Sequence, residues 1–131
     1  MKKLVVDQGY TENIFGRRRR FFGTDPSTPE GRENQRQGVN APIQGGAGDL
    51  TKWVGTEVHY KLKKLGLRGM VIANVHDAVI IDSPREEVEE IAKILKKTAM
   101  NPPIKLRVPM IMEIKIGKNW KELKETKINV N

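Results

Sequence analysis

Cysteine is absent from the 131 residues. Disulfides and thiolate metal sites are thereby excluded, and the absence fits a reducing compartment. Only two histidines occur, His59 and His76, too few for a multi-histidine zinc site. No apolar run approaches the ~20 residues of a membrane-spanning helix. The stretch Leu4-Val5-Val6 behind Met1-Lys2-Lys3 also falls short of the roughly 7–15 apolar residues of a secretory signal. The expectation is a soluble, cytoplasmic protein, in the cytoplasm of a host if its origin is viral, with no membrane partner. Acidic residues are in deficit as well: 16 Asp and Glu face 24 Lys and Arg, a formal charge of +8 with a pI near 9.8. That balance favours a polyanionic partner, nucleic acid above all, while a surface that is basic only for solubility remains the plain alternative. A hydrophobic fraction of 37%, 31% charged residues and a mean hydropathy of -0.54 fit one folded domain over residues 1–131.

Residues 9–23 hold Gly9, Gly16 and Gly23 around Arg17-Arg18-Arg19-Arg20. The spacing predicts a small basic hairpin turning near Gly16. Four adjacent arginines repel one another unless phosphate or carboxylate lies near, so a nucleic-acid backbone contact and a solvated basic loop are both open. Residues 24–29 read as a loop. Over 30–65 the pattern is helical, as one kinked helix or a pair. Arg32, Arg36, Asn40 and Gln44 recur every fourth residue on one drifting face. Pro42 is expected to interrupt the helix opposite Gly38, and Gly45, Gly46 and Gly48 suggest that something else approaches the helix backbone closely. Leu50, Val54, Val58, Leu62 and Leu65 form an apolar core stripe ended by Gly66, with His59 off the stripe as a surface residue.

Two apolar, β-branched runs, Met70-Val71-Ile72-Ala73 and Val79-Ile80-Ile81, flank His76-Asp77 and predict two buried strands within 68–82. The dipeptide is not one that tight hairpin turns favour. A carboxylate beside a buried sheet needs compensation, so Asp77 is either a metal ligand or the cap of a turn at a sheet edge. Ser83-Pro84-Arg85-Glu86 has the form of a capping box opening a helix over 84–98, whose face is Val88, Ile91, Ala92 and Leu95. Glu86, Glu87, Glu89 and Glu90 read as a solvated first turn suited to the helix dipole. Residues 104–116 alternate apolar and polar and predict a strand, with Pro109 arguing for an edge or a break. The last residues look frayed.

The chain resembles the C-terminal portion of a family A DNA polymerase, the bacterial polymerase I type, across about residues 8–120. The resemblance is carried in order by Gln8-Gly9-Tyr10, Phe15-Gly16-Arg17-Arg18-Arg19, then Arg36 with Asn40-Ala41-Pro42-Ile43-Gln44-Gly45, Asp49-Leu50, Val75-His76-Asp77, Val108-Pro109 and Gly117-Lys118-Asn119-Trp120. It implies a palm/fingers piece of α+β architecture: an antiparallel palm-like sheet with a His-Asp hairpin, the family's motif C, packed by helices as a partial polymerase domain. It further implies that Asp77 is a catalytic metal ligand in a two-ion Mg²⁺ site only partly supplied by this chain. Arg36, Asn40 and Gln44 would meet the minor groove of primer-template DNA, where readout is degenerate and shape can be tested without sequence. His76 would lie by the primer end, and Arg17, Arg18 and Arg32 would contact the backbone. Deoxynucleoside triphosphates are the implied substrates.

Departures from the family pattern set limits. Ala78 stands where an acidic residue is common. Gly46-Ala47-Gly48-Asp49 replaces Thr-Ala-Ala-Asp, and no D-x-S-x-x-E-L-R segment (motif A) or fingers helix is present. The five aspartates, Asp7, Asp25, Asp49, Asp77 and Asp82, have no such context. The expectation is a split or excised piece of a nucleotidyltransferase, inactive alone and needing a chain or segment that carries motif A and the fingers helix, with an apolar surface left exposed where that portion docks. A catalytically silent nucleic-acid-binding fragment is the alternative, and a basic structural subunit a third reading.

Overall fold

A computed structural model describes residues 2–129, and the chain divides into two compact units, Met1–Leu50 and Thr51–Asn131. The first unit begins with helix α1 (Lys2–Gln8), followed by strands β1 (Tyr10–Glu12) and β2 (Arg18–Arg20). These pair antiparallel with Tyr10 opposite Arg20 and Glu12 opposite Arg18. Gly16, at φ 80°, supplies the left-handed residue of the connection. Helix α2 (Pro29–Leu65) starts in this unit and ends in the second. Thr28 caps it, its Oγ1 accepting from the Gly31 amide at 3.0 Å, and Pro29 takes the first helical position where no donor is needed.

Pro42 lies inside α2, so the expected interruption is not found. The residue four positions earlier is Gly38, and its lack of a side chain also lets α1 press close: a Cβ there would sit 2.1 Å from Val5 Cγ2. Val5 is fully buried at that contact, and Phe21 and Leu50 are the other buried apolar side chains of the unit among the described residues.

In the second unit β3 (Met70–Val75) and β4 (Ala78–Asp82) form an antiparallel pair with Val75 opposite Ala78, and the register shifts between Val71 and Ala73. The core joins Val54, Val58 and Leu62 of α2 to Ile91 and Ala99, with Val71, Val79 and Ile81 packed on it. Leu65 is exposed, so the stripe ends one turn sooner than its spacing predicts. Neither strand is buried on both faces: Met70 and Ile72 are 60% and 59% exposed. A two-stranded sheet with helices on one side leaves the other side to solvent.

The capping box does not form. Ser83 Oγ donates to the Pro84 carbonyl, residues Arg85–Glu87 make a 3₁₀ turn, and α3 runs over Val88–Met100. Nor is the acidic turn wholly solvated. Glu87 accepts from the backbone amides of Arg68 and Gly69 at 2.9 and 3.0 Å and pairs with the Arg68 guanidinium at 3.3 Å, while Glu86 also pairs with Arg68. These bonds tie the start of β3 to the start of the helix. The Glu86 carboxyl is held below its ordinary value, first by its own backbone amide and then by Arg68.

The 104–116 segment is strand only at β5 (Lys115–Ile116), which pairs with β6 (Lys124–Glu125). Residues 104–114 keep much of the alternating burial that suggested a strand, yet have no strand partner among the described residues. Pro109 within it, and Pro102 and Pro103 just before it, have no amide to donate. The architecture among the described residues is therefore helices with three two-stranded antiparallel sheets, and the segment does not join the β3–β4 pair as one sheet. The expected frayed end is ordered through Ile128, which is buried with Ala92 and Ile114 while its carbonyl accepts from Lys96 Nζ at 2.6 Å. The part of that expectation falling on residues 130 and 131 lies outside the described residues. No helix among the described residues is long and apolar enough to cross a membrane.

Candidate functional site

The basic hairpin is held to its own helix by a polar knot. Asn13 is buried; its Oδ1 accepts from the Phe15 and Arg17 amides at 2.9 and 3.0 Å, and its Nδ2 donates to Asp49 Oδ2 at 2.7 Å. The other Asp49 oxygen pairs with Arg17 at 2.8 Å. The close approach expected at the α2 glycines is made by this turn at two of them, where a Cβ on Gly45 or Gly46 would meet the Asn13 or Ile14 side chain at 3.4 Å, and not at Gly48, where a Cβ would meet nothing within 4 Å. Asp49 is thus occupied as a structural acceptor.

The arginine run resolves by strand alternation. Arg18 pairs with Glu12 at 2.7 Å and lies over the Tyr10 ring at 4.7 Å. Hydrogen bonding to Glu12, the largest cause, raises its pKa above the usual value. Arg19 lies over Phe21 at 5.3 Å and donates to Gln37 Oε1 at 2.6 Å. Arg32 donates to the carbonyls of Pro26 and Ser27 at 3.3 and 2.8 Å. Carboxylates and carbonyls of the chain itself thus compensate Arg17, Arg18 and Arg32.

Arg36, Asn40 and Gln44 are brought together. They line one open, polar cavity of about 510 Å³, and its remaining lining is Arg19, Glu33 and Gln37. Glu33 pairs with Arg36 and accepts from Gln37 Nε2 at 3.0 Å. The i to i+3 and i+4 spacing from Glu33 to Arg36 and Gln37 was readable on a helix. The participation of Arg19 was not, because it depends on hairpin register. A smaller cavity of about 150 Å³ at Pro42 shares Arg19 and Gln44 and includes Thr11, whose buried hydroxyl has no hydrogen-bond partner among the described residues.

His76 and Asp77 belong to the second unit and form the two-residue connection between β3 and β4. His76 has φ 55°, the only positive φ outside glycine among the described residues. Holding a non-glycine residue left-handed costs roughly 1–2 kcal/mol, although histidine is one of the types enriched there. Asp77 is exposed, and its side chain has no hydrogen bond or ion pair among the described residues.

The family model for DNA polymerase family A matches residues 1–122. The chain belongs to DNA polymerase family A. It is 36% identical over 115 residues to DNA polymerase I of Chloroflexus aurantiacus, covering 88% of this chain and 12% of that protein. With the thermostable DNA polymerase I of Thermus aquaticus it shares 34% over 119 residues, 90% of this chain and 14% of the relative. The POL domain of Pol1 from M. smegmatis, solved in complex with DNA primer-template and dNTP, superposes with a TM-score of 0.75 at 32% identity, covering 82% of this chain and 19% of that one. The chain thus spans only about an eighth of the length of these polymerase I relatives.

Polymerases of this family use divalent metals. The donors here do not make such a site by themselves: among the described residues no group of three or more His, Asp or Glu side chains is placed to hold a metal. Asp77 has Ala78 as its neighbour.

Proposed function

We propose that this chain is the C-terminal part of a template-directed DNA polymerase and works only with a partner chain or segment that supplies motif A and the fingers helix. The observation that carries the reading is the family match over residues 1–122, which takes in both the cavity of Arg36, Asn40 and Gln44 and the His76-Asp77 turn. Arg36, Asn40 and Gln44 act on the minor groove of primer-template DNA as guanidinium and amide donors to its acceptors. His76 lies by the primer end. Asp77 contributes one carboxylate to a Mg²⁺ site whose other carboxylates come from outside the chain. Hard cations of this kind take oxygen donors and keep waters, and an exposed carboxylate without a protein partner suits that use. Arg17, Arg18 and Arg32 contact the backbone only by exchanging the acceptors they now hold. Deoxynucleoside triphosphates are the substrates of the completed enzyme.

Two measurements test this. Primer extension by the chain mixed with a candidate partner is expected to require Mg²⁺ and to be abolished by Asp77→Ala; unchanged extension by that variant removes the role given to Asp77. Arg36→Ala is expected to weaken binding of a primer-template duplex by the chain alone, with the affinity of both proteins falling as salt rises.

Ala78 favours a second reading, a catalytically silent nucleic-acid-binding fragment. It retains the duplex binding and predicts that extension by the mixture is indifferent to Asp77→Ala.

A further inference from the structure

The cavity holds two guanidinium groups that one short chain of hydrogen bonds connects. Arg36 pairs with Glu33, Glu33 accepts from Gln37 Nε2 at 3.0 Å, and Gln37 Oε1 accepts from Arg19 at 2.6 Å. Arg19 comes from β2 and the other three from α2, and all four line the same opening. The arginines have little else to hold them: Arg19 keeps a ring contact with Phe21, and the Arg36 side chain is 73% exposed.

We infer that Arg19 and Arg36 form a two-pronged site for a backbone phosphodiester of bound duplex, in which Glu33 occupies the anion's place while the site is empty. This rests on the reading of the chain as a primer-template binder and narrows one of its assignments, giving Arg36 the phosphate that borders the minor groove and leaving the base acceptors to Asn40 and Gln44; it adds a residue, Arg19, and an internal competitor, Glu33. Three observations carry it. A guanidinium offers a planar fork that suits carboxylate and phosphate alike, so the acceptor Arg36 now holds marks where a phosphate oxygen fits. The Arg36–Glu33 pair is exposed on both sides, 73% and 43%, and pairs of that kind add little stability, so a polyanion displaces the carboxylate at small cost. Gln37 has both ends of its amide committed, to Glu33 and to Arg19, which fixes the second fork relative to the first.

The carboxylate has a consequence of definite sign. A phosphate seated on Arg36 stands within a few ångström of Glu33, and like charges at that range repel. Glu33 therefore holds the forks in position and lowers their affinity for nucleic acid. Glu33→Gln separates the two effects, since the amide oxygen still accepts from Gln37 while the charge is gone.

Anisotropy of a labelled primer-template duplex, titrated with the full chain over a range of KCl, is the test. Glu33→Gln is expected to bind about three- to tenfold more tightly at low salt, with a log–log salt slope steeper by up to ~0.9. Arg19→Ala is expected to weaken binding severalfold and to flatten the slope by a similar amount. Circular dichroism of both variants establishes that the fold is kept. Unchanged or weaker binding by Glu33→Gln, with Arg36→Ala still harmful, overturns the competitor while leaving the duplex-binding reading intact. Indifference of binding to Arg36→Ala and Glu33→Gln together overturns both. Displacement of the duplex by dATP, at a midpoint that shifts in Glu33→Gln, overturns the backbone assignment in favour of a nucleotide phosphate.

Discussion

Asn13 donates its side-chain amide to Asp49 at 2.7 Å across 36 positions of sequence, fastening the turn of the arginine hairpin to helix α2. The same side chain accepts two amides of its own turn and is only 7% exposed. Asn13→Ala leaves those amides and the Asp49 oxygen short of a partner, which costs about 1–3 kcal/mol. Asp49→Asn keeps an acceptor for Asn13 and forfeits mainly the pair with Arg17, whose side chain is 63% exposed, so its loss is expected below about 1 kcal/mol. Urea unfolding of both variants checks the order; equal losses would make the Arg17 pair the main tie.

How far the sequence was readable follows from what each signal depends on. The stripe Val54, Val58 and Leu62 is local periodicity on one helix, and it is the core of the second unit. Two apolar runs around His76-Asp77 pair as strands, but their exposed side was not readable, because it depends on which helices arrive and on which face. Residues 104–114 show the reverse case: alternating burial follows the pattern, and strand pairing does not, since pairing needs a partner and free amides. Arg36, Asn40 and Gln44 meet at one cavity because i, i+4 spacing on a helix fixes neighbours. Arg19 escaped because its place there is set by a hairpin and by a contact across 18 positions.

Acid should loosen the start of α2. The Asp25 carboxyl is held below the usual range, first by the Ser27 backbone amide and then by its hydroxyl. Glu89 is lowered by Lys93, through a hydrogen bond first and charge second. A carboxyl depressed in the fold adds stability that is present above its unfolded value, about 3.9 for Asp and 4.3 for Glu. That stability is lost as the pH falls through the folded value. The melting temperature is therefore expected to be level from pH 8 to about pH 5 and to drop below about pH 4, modestly because these groups lie at the surface. Asp25→Asn, which can still accept from Ser27, should show a shallower drop. An acid limb identical to that of the parent protein would remove Asp25 from the account.

Two glycines of one helix should respond oppositely to the same substitution. At Gly38 a methyl group would stand 2.1 Å from buried Val5 Cγ2, whereas at Gly48 it would meet nothing within 4 Å. Alanine is favoured over glycine in a helix by ~1 kcal/mol, and overpacking costs about 1–3 kcal/mol. Gly48→Ala is expected to raise stability by up to ~1 kcal/mol and Gly38→Ala to lower it by about as much or more. Chemical denaturation midpoints decide it. Stabilisation by Gly38→Ala would mean that α1 yields freely at that contact.

The turn at His76 offers a way to part stability from function. Its φ of 55° carries a steric cost that glycine does not bear, so a turn chosen for stability alone has no reason to hold histidine. In His76→Gly the relief of roughly 1–2 kcal/mol is offset by about 0.5–1 kcal/mol of extra chain entropy lost on folding. The net change in stability is expected to be zero to slightly favourable, with β3 and β4 keeping their register. Primer extension with a competent partner chain should nevertheless fall, because the imidazole proposed to lie by the primer end is gone. Thermal unfolding and extension rates measured on the same preparation separate the two contributions. A variant that is markedly less stable would show that the ring itself holds the turn, and one that extends primers at the full rate would remove His76 from the primer end.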